Sequence, residues 1–137
     1  MNFPGRPRSE ARNQLVLNMA REDVKEYVFK VLGKILSENN IKYIKWDMNR
    51  HFGEPGWPEA PLAEQKEIWM KYVRNVYEII ERLRAAHPKL TIEACSGGGG
   101  RIDLGILERV DEVHASDNTE AFDRLSIQEG FSMAYTP

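Results

Sequence analysis

Hydrophobic positions along the chain follow two different periods. Val24, Tyr27, Val28, Val31, Leu32 and Ile35 recur at three- and four-residue spacing, which predicts an amphipathic helix, and Asn39 and Asn40 suit its C-terminus. Trp69, Tyr72, Val73, Val76, Ile80 and Leu83 repeat the pattern over a longer stretch that ends before Pro88. Between and around these helices lie short runs rich in β-formers. QLVLNM (14–19), IKYIKWD (41–47), LTIEAC (90–95) and EVHASD (112–117) read as four strands. Two further helices are predicted over 102–109 and 121–131, and MNRHFGEPGWPEAP (48–61) is a loop. Residues 1–13 form an irregular lead-in, because prolines, a glycine and arginines crowd positions 3–8. Strands and helices alternating at short connection lengths predict successive parallel strand pairs with right-handed crossovers, an α/β fold.

Composition narrows the function classes. The 137 residues, 42% hydrophobic, suffice for one domain with a modest core. Nineteen basic and 21 acidic residues leave a net charge of −2, so no basic footprint for nucleic acid or an anionic membrane exists. The single cysteine, Cys95, forms no intramolecular disulfide and belongs to no CxxC pair. A reducing, cytoplasmic setting is therefore expected. MNFPGRPRSEARNQ carries no apolar segment behind its positive charges, and no run approaches the roughly 18 apolar residues of a membrane span.

Candidate chemistry collects just after predicted strands. Asp47, Cys95 and Asp117 fall at C-terminal strand ends, the edge that carries sites in barrels and open sheets alike. A strand period of two puts Lys45 and Asp47 on one face, with Ile44 and Trp46 on the other. A lysine there favours the ionised carboxylate that a nucleophile requires, although the same pair describes a structural ion pair. Asp117 is predicted on the face of Val113 and Ala115, and its SDNTE context is also ordinary turn and cap chemistry. Two aspartates at one sheet edge can approach to about 5 Å, the separation used by retaining glycosidases. A negative Asp47 would then favour a protonated Asp117.

CSGGGGR (95–101) lacks the GK[ST] ending of a phosphate loop, and Arg101 stands where a dinucleotide fingerprint wants a small residue. Bare backbone lining a sugar pocket fits at least as well. Cys95 reads as a small buried hydrophobe with no histidine near enough to act as its base. His51, His87 and His114 show no ligand spacing, so they are assigned to packing or surface, with no metal. Trp57 either stacks on a sugar or pins its loop, and Trp69 and Tyr72 are assigned to the core stripe.

At KWDMNR, CSGGGGR and SDNTEAFDRLSIQ, in that order and spacing, the chain resembles the catalytic barrel of glycoside hydrolase family 36, the microbial α-galactosidases. The resemblance spans nearly the whole chain. It implies that residues 1–137 are part of a (β/α)8 TIM barrel, about four to five βα units of the eight. Asp47 is then the nucleophile that forms a β-galactosyl–enzyme intermediate, and Asp117 is acid and then base. Arg12, Lys45, Asn49, Cys95 and Gly98 match residues that contact the galactosyl group, with Ser96 as a further candidate. The implied substrates are terminal α-galactosides such as melibiose and raffinose, with no cofactor, and the full-length parent is expected to be a homo-oligomer.

The family's earlier aspartate pair and flanking β-rich domains have no counterpart in these residues. Galactosyl transfer at the same carboxylates, a non-catalytic sugar-binding module and a nucleotide-binding α/β domain are the alternatives. An incomplete barrel should leave strand edges and an apolar face uncovered and be inactive alone. The 137-residue chain is thus expected to show no turnover of p-nitrophenyl α-galactoside, and a soluble monomer that cleaves it would contradict the partial-barrel reading.

Overall fold

The computed structural model describes Gly5, Pro7, residues 10–50, Gly53 and residues 55–135. His51 and most of the 1–13 lead-in's first nine positions lie outside the described residues. In chain order the elements are α1 (Glu22–Glu38), β1 (Tyr43–Trp46), a 3-10 helix (Leu62–Glu67), α2 (Ile68–Ala86), β2 (Thr91–Ala94), α3 (Leu104–Leu107), β3 (Glu112–Val113) and α4 (Ala121–Ala134). The strands form one parallel sheet in the order β1-β2-β3.

The sheet has three strands where the sequence predicts four. Residues 15–18 join no ladder, and nearby only an isolated antiparallel bridge joins Ala11 to Gln14. Their β-forming side chains are used for packing instead, since Val16 and Met19 are buried in the main core. β3 is also shorter than predicted, stopping at Val113 rather than continuing to Asp117.

One face of the sheet is apolar. Ile44, Trp46, Ile92, Ala94 and Val113 share a hydrophobic cluster with Val76, Ile79, Ile80 and Leu83 of α2. The buried face of α2 comprises Ile68, Tyr72, Val76, Ile79, Ile80 and Leu83, whose spacing follows the helical repeat. Trp69 and Val73, predicted in that stripe, are exposed at 47% and 40%. The contact face is centred about one position away from the predicted stripe, and Ile68 and Ile79 occupy it. On α1 the predicted stripe divides in the same way. Val24, Val28 and Leu32 pack with buried Leu36, whereas Tyr27, Val31 and Ile35 face outward. Asn39 ends α1 as its sequence suggests, with its side-chain amide donating to the Ile35 carbonyl at 2.8 Å.

Ion pairs fix α1 against α2. Lys25 is buried, and its ammonium lies 2.7 Å from Glu22 and 2.8 Å from Glu78. Burial lowers its pKa, but the two carboxylates outweigh burial and raise it. Arg82 of α2 reaches across to Glu26. Asp111 pairs with Arg84 at 2.6 Å and accepts the Ile92 N–H at 2.8 Å, joining the end of α2 to the starts of β2 and β3. No described helix is long and apolar enough to cross a membrane. α4 has no buried residue, and Phe122, Leu125 and Met133 are exposed, the uncovered apolar surface expected of an incomplete layer.

Two measurements check this packing. Ile80→Ala should cost about 2–5 kcal/mol in urea unfolding, because a fully enclosed side chain leaves a cavity; an unchanged midpoint would rule out this core. Asp111 is held below its ordinary 3.8, chiefly by Arg84, with burial opposing and the Ile92 N–H assisting. A depressed folded-state pKa contributes stability that is complete above about 3.8 and is lost as pH falls through the folded value. Asp111→Asn should therefore flatten the acid limb of the stability profile below that pH, which chemical denaturation at stepped pH would reveal.

Candidate active site

The site grows out of strand register. Lys45 pairs with Glu93 and Glu93 with Glu112, while the next row aligns Trp46, Ala94 and Val113. Hydrogen bonds carry the ladder one row further, from the Cys95 N–H to the Trp46 carbonyl at 3.0 Å and from the His114 N–H to the Ala94 carbonyl at 2.9 Å. Asp47, Cys95 and His114 consequently leave the three strands at one level. By the period of two they lie on the face of Tyr43, Lys45 and Glu93, opposite the apolar face.

That polar face is tied together by Glu93, only 9% exposed. Lys45 sits 3.2 Å from its Oε1, His114 Nδ1 lies 3.5 Å from the same oxygen, and the Tyr43 hydroxyl donates to Oε2. Lys45 thus pairs with Glu93, not with Asp47 as predicted, because parallel pairing places the glutamate directly beside it. Asp47 is nevertheless held below the ordinary carboxylate value. Burial raises its pKa, but hydrogen bonds from the Cys95 thiol, the Asn49 side chain and the Gly97 and Met48 N–H groups outweigh burial. The Gly97 contact is 3.3 Å to Oδ1.

Asp117 returns to the same place by another route. Strand alternation puts it on the side opposite His114, yet its Oδ1 lies 3.2 Å from His114 Nε2. Alternation fails because β3 stops at Val113 and the chain turns before residue 117. Arg12 spans the two loops, donating to Asn49 Oδ1 at 2.6 Å and to Asp117 Oδ2 at 3.4 Å. Arg12 and Asn13 both have positive φ, 51° and 56°, so a tight left-handed turn presents the guanidinium.

Cys95 lies at the centre. It is 2% exposed, and its sulfur, a His114 ring nitrogen and an Asp117 carboxylate oxygen all lie within 4.8 Å of one another. Burial pushes its thiol up, with the hydrogen-bonded Asp47 adding to the effect and the Gly98 N–H opposing it. The sequence offers no nearby histidine as a convincing base for Cys95, and of that expectation the structure corrects the distance alone. His114 is there, although the raised thiol is a poor nucleophile at neutral pH.

The glycine run works mainly through close approach. A Cβ on Gly98, at φ 86°, would sit 2.9 Å from Ser116 Cα, so this glycine lets the loop after β2 touch the segment bearing Asp117. Ser96 points its hydroxyl at the Met48 carbonyl, 3.0 Å away, and braces the loop after β1. Arg101 is half-buried and donates to the Trp46 and Cys95 carbonyls at 2.8 and 3.2 Å, clamping two strand ends; burial pushes its pKa down. Gln65 pins the loop at Trp57, accepting from that residue's backbone N–H and donating to its carbonyl.

Arg12, Asp47, Asn49, Cys95, Gly98 and Asp117 are thus brought together, with Lys45 two rows below on the same face and Ser96 turned to the backbone. Sequence reasoning missed Glu93, His114 and Arg101. The signal for the first two was the polar alternation 43/45/47, 93/95 and 112/114 on adjacent strands, readable once the strands are aligned.

The melibiase family model matches residues 1–137. The chain is 43% identical over 135 residues to α-galactosidase AgaA of Geobacillus stearothermophilus and 44% identical over 135 residues to α-galactosidase 1 of Pediococcus pentosaceus. Each alignment covers 98% of this chain but 18% of the relative. The crystal structure of AgaA superposes with a TM-score of 0.90, and that of a substituted AgaA in complex with raffinose with 0.91 at 42% identity. Both cover 98% of this chain and 19% of the solved one.

Gly98→Ala should destabilise the fold by about 1–3 kcal/mol and displace the Ser116 and Asp117 amide resonances, because φ 86° is strained for alanine and the neighbour is backbone. Gly97→Ala, which shares the positive φ (53°) and its conformational cost but has open space around the added carbon, should leave those two resonances in place. Equal perturbation by both substitutions would count against the close approach.

Proposed function

The chain belongs to the melibiase family, and on that premise we propose that it supplies both catalytic carboxylates of a retaining α-galactosidase. Its three strands and the extended segment before α1 are then consecutive parts of an eight-stranded barrel, of which this chain spans a minor share. The observation that carries the reading is one loop touching both carboxylate segments: the Gly97 N–H donates to Asp47 Oδ1 at 3.3 Å, and the next residue, Gly98, packs against the backbone of Ser116 and Asp117. Consecutive residues of one loop meeting both segments support the two carboxyl groups' facing a common space.

In this reading an α-galactoside lies across the strand ends. Asp47, kept ionised by its four hydrogen-bond donors, attacks the anomeric carbon as the glycosidic bond breaks. Asp117 gives its proton to the departing oxygen, leaving a β-galactosyl ester on Asp47 and a free alcohol. Water then enters from the vacated side. Asp117 takes a proton from it, the oxygen attacks the same carbon, and Asp47 is released with the original configuration restored. Arg12 and Asn49 form a hydrogen-bonded bridge between the two carboxylate loops, suited to fixing their separation and to meeting sugar hydroxyls. Raffinose, bound by the AgaA variant, represents the substrate class.

The test is a chimera in which this chain replaces the matching segment of AgaA. It should hydrolyse p-nitrophenyl α-galactoside and release α-galactose first, as seen by proton NMR. Asp47→Asn and Asp117→Asn should each lower kcat by at least about a thousandfold while circular dichroism stays that of the chimera. Azide should rescue an Asp47→Gly chimera with β-galactosyl azide as product. Undiminished turnover without Asp47, or β-galactose as the first product, would defeat the proposal.

A further inference from the structure

We propose that Cys95, His114 and Asp117 form a binding site for a borderline-soft divalent cation, Zn2+ or Cd2+, at the mouth of the sheet. The three donors are a sulfur, an imidazole nitrogen and a carboxylate oxygen, a set suited to these ions and poorly suited to Mg2+ or Ca2+. Their ligand atoms already lie within 4.8 Å of one another, and His114 Nε2 and Asp117 Oδ1 are 3.2 Å apart. Tetrahedral zinc, with bonds of about 2.0–2.3 Å, places its ligand atoms roughly 3.3–3.6 Å apart. The remaining contraction, at most about 1.2–1.5 Å, lies on the sulfur side, because His114 and half-exposed Asp117 already sit at ligand spacing, and rotations of the Cys95 and Asp117 side chains would supply it.

The second observation is the environment of the imidazole. His114 Nδ1 faces Glu93 Oε1 at 3.5 Å, and Glu93 is itself held by Lys45 and Tyr43. A carboxylate on one ring nitrogen orients the ring and leaves the other nitrogen for a metal, the arrangement that accompanies most histidine ligands. Local charge agrees. Lys45 is matched by Glu93 and Arg12 takes Oδ2 of Asp117, which leaves Oδ1 for the ion. On binding, the thiol gives its proton to solvent, and the ion's charge offsets the burial that keeps the thiol protonated. A fourth position stays open for water. Spacing rules miss this site because its ligands come from two strand ends and the turn beyond, not from one motif.

Occupancy would tie up Asp117, so the ion should exclude galactoside. That consequence rests on the proposed function, but the binding does not. Cadmium titration of the full 137-residue chain provides the test, because Cys95 is the sole thiol and a ligand-to-metal charge-transfer band reports on it alone. The expected result is a saturable band with one ion per chain, displaced by Zn2+ and lost in Cys95→Ser. Affinity should fall at least about tenfold in both His114→Gln and Asp117→Asn, with amide spectra confirming that each stays folded, and should fall likewise for the native sequence in urea. A band that forms with equal affinity in His114→Gln, in Asp117→Asn or in urea would show binding by a lone thiol and overturn the proposal, as would no band at all. None of these readings depends on galactoside turnover, so failure here leaves the carboxylate assignment untouched, and the reverse holds too.

Discussion

Parallel pairing in one register is the constraint from which the rest of this molecule follows. Because Trp46, Ala94 and Val113 share a row, the next residue of each strand emerges at one level, and Asp47, Cys95 and His114 become neighbours. A slip of one residue in either pair would exchange the two faces. The carboxylate of Asp47 would then enter the hydrophobic layer, and Ile92 would lose its place against α2. The apolar packing of one face and the chemistry of the other therefore hold the same register.

The polar face carries its own cost, since a glutamate at 9% exposure must be satisfied locally. Lys45, Tyr43 and His114 surround it, and each is delivered by the same alternation that delivers the site. Above this layer the donors change character. Asp47 is supported by a thiol, an amide and backbone N–H groups, none of which carries a formal charge in that role. Neutral donors keep the carboxylate ionised without locking it into an ion pair, a state compatible with forming a bond to carbon. Arg101 contributes from below by holding two strand-end carbonyls, so its effect on the site is one of positioning.

Legibility differed with the length scale of the interaction. Helix α2 was readable because its repeat is local, yet its buried face was misjudged by about one position, since Trp69 and Ile68 are equally hydrophobic and only the packing partner distinguishes them. The first predicted strand had the right side chains but no paired neighbour, and strand identity is a property of a pair. Asp117 was recognised from its motif, while the face assigned to it relied on a strand that ends four residues earlier. His114 was dismissed for want of ligand spacing and stands beside the acid; its partners are 21 residues away in sequence at Glu93 and three away at Asp117.

By itself the sequence determined the α/β class, the parallel arrangement of its core strands, the two aspartates, and membership through three motifs in a family of known relatives. These are set by local periodicity and by residue types at fixed spacing, which survive without knowledge of any neighbour. Tertiary structure alone decided that Lys45 serves Glu93 and not Asp47, that a buried thiol lies within 4.8 Å of Asp117, and that His114 belongs to the site. Each of those facts depends on which residues of separate strands share a row, and register is fixed by burying one face of the sheet against a helix, a collective outcome that no single segment encodes.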